Sequence, residues 1–238
     1  PDGKFIAYTS KRLRGKEDAR STNSDIFLYD VGKDSEVNIS EGNRGFDKYP
    51  VFSPDGSKIA YQSMERDGYE SDLNRLFVYE TATGKRTWVT RGWTFDVESV
   101  NWADEQTLYF ISAYMGTSQV FKTSLTGKGV DQVTKGPHEL GSLQLEGGKL
   151  SATIMSFSLA PEVALVDIST GEVKQLTSIN KGIYDKIRMG KFEEKYTITK
   201  DGKDLQMWVV FPPSFDPAKK YPALLFCNGG PQSTLDQF

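Results

Sequence analysis

Cysteine and histidine are almost absent from this sequence. The 238 residues hold one of each, Cys227 and His138. A lone thiol excludes an internal disulfide and any CxxC redox or metal motif. A lone imidazole excludes a histidine-rich metal site. No apolar run approaches the ~20 residues of a helical membrane span, and no secretory signal pattern opens the chain. Charge of one sign is lacking too. The net charge is −3, and no basic stripe marks a nucleic-acid face. The basic run Lys11-Arg12-Leu13-Arg14-Gly15-Lys16 passes directly into Glu17 and Asp18, which reads as a solvated loop. A Gly-x-Ser-x-Gly nucleophile elbow is missing as well. The nearest stretch, Met115-Gly116-Thr117-Ser118-Gln119, lacks the second glycine. His138 has no nucleophile to serve and reads as a loop residue.

What is abundant is a repeat. Phe52-Ser53-Pro54-Asp55-Gly56 runs into the alternating stretch 58–63, Lys-Ile-Ala-Tyr-Gln-Ser. Proline pre-sets one turn dihedral and glycine supplies a positive one, so the segment predicts a β-hairpin. The unit recurs as Pro1-Asp2-Gly3 before 4–10, and more weakly as Ala103-Asp104-Glu105 before 107–112. A second register agrees with the first. An aliphatic residue followed by a hydroxyl recurs as Ile39-Ser40, Val89-Thr90, Val133-Thr134 and Leu176-Thr177, at steps of 50, 44 and 43 residues.

Four short strands per unit of this length predict propeller blades. One four-stranded sheet cannot bury both faces alone, but its neighbours on either side can do so. A β-sandwich of similar strand count is the alternative, and the fixed phase of the repeat disfavours it. About four blades are expected over residues 1–185, the first lacking its inner strand. Because Pro1 falls inside a hairpin turn, the chain is expected to be an internal piece of a longer protein.

The blade connections divide by face. First-to-second and third-to-fourth turns are tight. Two second-to-third connections are long, residues 11–24 and 64–74, and long loops on a regular scaffold carry binding. The 64–74 loop holds Glu65, Arg66, Asp67, Glu70 and Asp72. Its candidate substrate-binding residues are Glu65, Arg66, Glu70 and Asp72, which could hold a cationic group such as a peptide amine. A merely solvated acidic loop is the plainer reading.

After Thr177 the repeat stops. Residues 189–199 and 205–211 flank Asp201-Gly202-Lys203 and predict a new hairpin. Residues 221–227, Tyr-Pro-Ala-Leu-Leu-Phe-Cys, form a near-continuous apolar run, as expected for a strand buried on both faces of an α/β sheet. It ends in Asn228-Gly229-Gly230-Pro231-Gln232.

Residues 201–232, DGKDLQMWVVFPPSFDPAKKYPALLFCNGGPQ, together with the Phe-Ser-Pro-Asp-Gly repeats upstream, resemble the prolyl oligopeptidase family of serine peptidases. The ending of the last strand, with STNSDIFLYD at 21–30, is most similar to that family's bacterial dipeptidyl peptidases. The resemblance implies a β-propeller followed by the opening strands of an α/β-hydrolase domain over residues 186–238. It implies a serine peptidase acting on short peptides, with the propeller gating and orienting the peptide and no cofactor or metal. The catalytic Ser, Asp and His are expected beyond Phe238, so residues 1–238 alone should be inactive. Asn228, Gly229 and Gly230 are the oxyanion-hole candidates. Relatives often carry Tyr or His where Asn228 stands, so either its side-chain amide or a backbone N–H could be the donor. The resemblance admits a homodimer through the hydrolase domain and a periplasmic or secreted location, with a cytoplasmic one left open. A TolB-like propeller that binds a protein partner without catalysis is the competing reading.

Overall fold

The computed structural model describes residues 2–126 and 129–226. Its strands form four antiparallel meanders. The first is β1 (Phe5–Ser10), β2 (Asp25–Asp30) and β3 (Ser35–Asn38), with no inner strand. The second is β4 (Asp47–Phe52), β5 (Lys58–Ser63), β6 (Arg75–Glu80) and β7 (Arg86–Trp88). The third is β8 (Glu98–Trp102), β9 (Thr107–Tyr114), β10 (Thr117–Ser124) and β11 (Val130–Gln132). The fourth is β12 (Glu139–Glu146), β13 (Lys149–Ser156), β14 (Leu159–Val166) and β15 (Val173–Gln175). A short helix, α1 (Gly15–Arg20), lies inside the first long connection, and α2 (Lys181–Tyr184) follows the last blade. The hairpin of β16 (Phe192–Ile198) and β17 (Asp204–Val210) completes the described secondary structure.

The second strands of the second and third blades, β5 and β9, show why blades must stack. Their side chains alternate between the two faces, and both faces are buried. Ile59 and Tyr61 join Ile26, Leu28 and Ile39 in a core between the first and second blades. Ala60 points the other way, into a core with Leu76, Val100, Phe110 and Phe121 between the second and third. Tyr109 and Ile111 turn from that core into a third, with Leu140, Leu143 and Leu150. Each of the three cores therefore belongs to a pair of blades, and a single blade has no core of its own.

The aliphatic-hydroxyl pairs close each blade. The hydroxyls of Ser40, Thr90, Thr134 and Thr177 accept the backbone N–H of Ile26, Leu76, Val120 and Val163 at 2.9–3.1 Å, each across 14 residues. The preceding aliphatic residue donates its own N–H back to the same four carbonyls at 2.7–2.9 Å. Ser40, Thr90 and Thr134 are buried, so the N–H groups they satisfy have little access to water.

Two residues before each of those N–H groups stands the residue that meets the next blade. Ser24 bridges Phe46 in parallel and its carbonyl accepts the Asp47 N–H at 3.1 Å. The Asn74 carbonyl accepts the Val97 N–H at 3.0 Å. Ser118 pairs with Glu139 in parallel. In the fourth blade this place is taken by Pro161, whose carbonyl accepts the Asn180 side-chain amide at 3.5 Å. There the chain turns instead into α2 and the β16–β17 hairpin.

The inner strands carry a device that the repeat pattern does not announce. The ladders of β4, β8 and β12 slip between Lys48 and Val51, Glu98 and Asn101, and Gly141 and Gln144. Tyr49, Ser99 and Ser142 sit in these bulges at φ of 53°, 48° and 49°. Non-glycine residues rarely adopt this region, and bulges bend a strand and re-aim its side chains.

Two expectations are corrected. Residues 15–20 of the basic connection form α1, not loop alone, although the helix buries nothing. Residues 221–226 form no strand and are exposed, Leu224 and Leu225 almost completely. An apolar strand of this kind is held by sheet neighbours on both sides, and β16–β17 pairs only with itself among the described residues. Cys227 lies outside the described residues.

Two stability measurements follow. Thr134→Val leaves the Val120 N–H and the Gln119 Oε1 that the hydroxyl bonds at 2.8 Å without partners in a buried place. It should cost about 1–3 kcal/mol in urea unfolding, whereas Thr134→Ser should retain most of it. The second concerns Asp47, fully buried at the head of β4. Burial pushes its carboxyl from 3.8 to about 6, against opposing hydrogen bonds from Ser63 and Asn43. The folded state then binds the proton more tightly than the unfolded state, so stability falls as pH rises from about 4 to about 6. Asp47→Asn should remove that fall from urea unfolding measured between pH 4 and 8.

Candidate functional site

The two long connections lie on the same face and clasp each other. Asp67 accepts the Ser21 hydroxyl at 2.5 Å and the Thr22 N–H at 3.0 Å, and Gly68 returns its N–H to Thr22 Oγ1 at 2.9 Å. The Ser21 hydroxyl, with the N–H groups of Thr22 and Asn23, holds the Asp67 carboxyl below its usual range.

Within the 64–74 loop, Asp72 is an internal clamp. Its Oδ2 accepts the N–H of Glu65 and Arg66 at 3.0 and 2.8 Å, and its Oδ1 meets the Arg66 guanidinium at 3.0 Å. Burial works against ionisation of Asp72, but these hydrogen bonds outweigh it and hold the carboxyl below its ordinary value. Arg66 also lies 3.8 Å above the Tyr69 ring. Glu65 pairs with Arg75 at 3.2 Å while its own side chain stays largely exposed. Glu70 is exposed on the same loop. The four candidate residues thus share one loop, but Asp72 and Arg66 are spent on each other, and Glu65 and Glu70 present the outward carboxylates.

The corresponding connections of the third and fourth blades are short, and they support the last hairpin. Tyr114-Met115-Gly116-Thr117 turns tightly, with φ of 51° and 68° at its central residues, the pattern of a type I′ turn. Gln206 of β17 donates to the Met115 carbonyl at 2.7 Å. A Cβ at Gly116 would lie 2.8 Å from Gln206 Nε2 and 3.0 Å from Trp208 Nε1. Glycine is therefore required twice, for its dihedral and for the close approach. Phe157, in the turn between β13 and β14, meets Phe192 and Trp208 at ring separations of 5.3 and 5.8 Å. The hairpin that follows the blades is seated on the face where the long loops emerge.

Glu162 fixes the approach to that hairpin. This buried carboxylate accepts the N–H of Asn180 and Ile179 at 3.0 Å each and the Thr177 hydroxyl at 2.5 Å. The Asn180 N–H, then the Thr177 hydroxyl, lower its pKa to about 2. Tyr184 completes the junction by accepting the Ala160 N–H at 2.6 Å. None of this was legible in the sequence, where Glu162 is one more charge on an alternating strand.

His138 stands in the connection before β12, and burial lowers its pKa. Asn228, Gly229 and Gly230 lie outside the described residues. No described helix is long and apolar enough to cross a membrane.

Antiparallel meanders of up to four strands, with β2, β6 and β10 stitched at their starts to the inner strand of the next blade and cores shared pairwise, define a β-propeller. The chain belongs to the PD40, TolB β-propeller domain family, whose profile matches residues 1–186. It is 43% identical to the dipeptidyl-peptidase 5 of Porphyromonas gingivalis over all of this chain and 35% of that protein. It is 38% identical to the dipeptidyl-peptidase 5 of Porphyromonas endodontalis over the same shares. The chain thus spans about a third of the length of these relatives. Among solved structures, acylaminoacyl peptidase in complex with Z-Gly-Gly-Phe-chloromethyl ketone superposes with a TM-score of 0.72. That match covers 92% of this chain and 33% of the other at 19% identity, a likeness of fold.

The junction gives a direct test. Glu162→Ala removes the acceptor of the Asn180 and Ile179 N–H groups and should raise the rate of limited proteolysis within residues 178–191 several-fold. Glu162→Gln, which keeps one acceptor oxygen, should fall between that variant and wild type.

Proposed function

We propose that this chain is the propeller and the entry into the hydrolase domain of a serine exopeptidase of the prolyl oligopeptidase family, one that cleaves short peptides. The observation that carries the reading is that the similarity to dipeptidyl-peptidase 5 extends over the whole chain. It therefore includes residues 187–238, beyond the propeller profile. The seating of β16–β17 on the loop face supports it, because the chain then leaves the propeller on the side where the long loops could meet a substrate.

In this reading residues 1–185 are blades and 186–238 open the peptidase domain. A Ser nucleophile, its His base and the orienting Asp belong to sequence beyond Phe238. The Asn228-Gly229-Gly230 loop supplies N–H donors to the oxyanion formed when Ser attacks the scissile carbonyl. The propeller admits and orients the peptide. On the 64–74 loop, Glu65 and Glu70 are the carboxylates placed to attract a peptide amine, and the Arg66–Asp72 clamp holds the loop that carries them. The substrate is a short peptide, the setting is periplasmic or secreted, and a dimer would form through the hydrolase domain.

The test compares the full-length protein with residues 1–238. A fluorophosphonate probe should label only the full-length protein, and only it should release dipeptides from free-amine peptide substrates. Absence of both labelling and hydrolysis would leave the propeller as a binding module, and labelling without peptide hydrolysis would overturn the peptidase reading while keeping an activated serine. Within the active protein, Glu65→Gln or Glu70→Gln should lower kcat/KM several-fold for free-amine substrates and spare N-blocked ones. Equal losses on both would remove the amine-binding role.

A further inference from the structure

A cleft of about 480 Å³ lies between the inner strands of the second and third blades. It is lined by Lys48, Tyr49 and Val51 of β4, by Glu98, Ser99 and Val100 of β8, and by Gln62 and Asn74 behind them. That size falls in the range of small-molecule and peptide sites. The cleft is built by the bulges. Tyr49 and Ser99 are the two left-handed residues at which the β4 and β8 ladders slip. The bulges bend the two inner strands at matching places, and Tyr49 and Ser99 line the space between them.

Three features point to a polar, peptide-like occupant. Asn74 is buried, 8% exposed, yet its Oδ1 has no hydrogen-bond partner. The Asn74 backbone is already spent, its N–H on Asp96 at 2.7 Å and its carbonyl on Val97 at 3.0 Å. The side-chain carbonyl therefore remains as an acceptor on the cleft wall, and leaving a buried acceptor unmet is costly. Lys48 is half-buried, its ammonium 4.7 Å from the Phe46 ring and 5.7 Å from the Tyr49 ring. Burial lowers its pKa, with Glu98 and Asp96 acting in the opposite sense, so an incoming anion would favour its charged form. Tyr49 is 65% exposed and offers an aromatic surface at the rim. Position supplies the last link. Lys48 pairs with Gln62 near the end of β5, one turn from the 64–74 loop, so the cleft opens toward the loop face.

We propose that this cleft receives the C-terminal end of a short peptide, with Lys48 meeting the terminal carboxylate and Asn74 Oδ1 accepting a peptide N–H. The proposal rests on the peptidase reading and adds to it a determinant for peptides with a free C-terminus. It also makes the propeller a binding partner at the end opposite the amine.

The experiment measures binding apart from turnover. The full-length protein, pre-treated with a fluorophosphonate, is titrated calorimetrically with one tetrapeptide as its free acid and as its C-terminal amide. Wild type should bind the acid roughly 5-fold more tightly, the size expected of one partly solvated ion pair. Lys48→Gln should abolish the preference and Lys48→Arg should keep it. Asn74→Ala should weaken acid and amide alike. A wild type that binds neither form, or binds both equally, overturns the proposal, as does a preference that survives in Lys48→Gln. An acid preference in a protein that hydrolyses no peptide would sink the peptidase reading and leave the cleft. Peptide hydrolysis with equal binding of acid and amide would do the reverse.

Discussion

The N–H groups of Ile26, Leu76, Val120 and Val163, each held by a hydroxyl fourteen residues on, tie the outer strand of every blade to its third strand. A short outer strand offers few ladder bonds. Those of β7, β11 and β15 run to three residues each. Without the hydroxyl, the end of the outer strand would fray and the adjoining N–H would lose its partner in a buried place, which costs more than the bond itself contributes. The same place in the chain governs assembly. Two residues earlier, Ser24, Asn74 and Ser118 present backbone groups to the next blade. A blade that closes correctly at its outer edge is therefore already in register with its neighbour. The shared cores then bury both faces of each interior sheet.

The end of this sequence of stitches explains where the hairpin sits. In the fourth blade Pro161 holds the stitching position, and Glu162, next in sequence, captures the N–H groups of Ile179 and Asn180. Where the first three blades present backbone groups to a neighbour, the fourth anchors the chain that departs. Because Glu162 lies near the turn between β13 and β14, the departing chain emerges beside Phe157. The rings of Phe192 and Trp208 pack there, and the glycine at 116 lets β17 approach the third blade. The loop face is thus selected by local hydrogen bonding before any catalytic geometry is considered.

Much of this was legible in the sequence. The Pro-Asp-Gly turns and the aliphatic-hydroxyl pairs are punctuation that local chemistry requires, so their spacing gave four blades, the missing inner strand of the first, and the later hairpin. The bulges were hidden because Tyr49, Ser99 and Ser142 are not glycines and show no left-handed preference. The clamp in the 64–74 loop was hidden because composition counts carboxylates and cannot say which of them accept N–H groups from their own loop. Asp72 and Glu70 look alike in sequence, yet one closes the loop on itself and the other faces outward. The strand expected at 221–227 is not formed over residues 221–226, because an apolar run reports the burial it would need and not whether neighbouring strands stand beside it.

The distribution of charge across the loop face follows from the same hydrogen-bond accounting. Asp67 joins the two long connections, Asp72 holds its own loop, and Glu162 holds the exit of the chain. Each accepts backbone N–H groups, and each is held below its ordinary pKa. Carboxylates engaged in this way have little capacity left for a ligand. In the proposed reading, recognition on this face falls to the exposed loop carboxylates Glu65, which also pairs with Arg75, and Glu70, and to the Asn74 side chain and Lys48 at the bulged inner strands. The two sets sit at the two ends of one short connection, since Asn74 closes the 64–74 loop, and Lys48 is the cation of the second set, beside Glu98. The proposed peptide would place its amine at the first set and its carboxylate at Lys48.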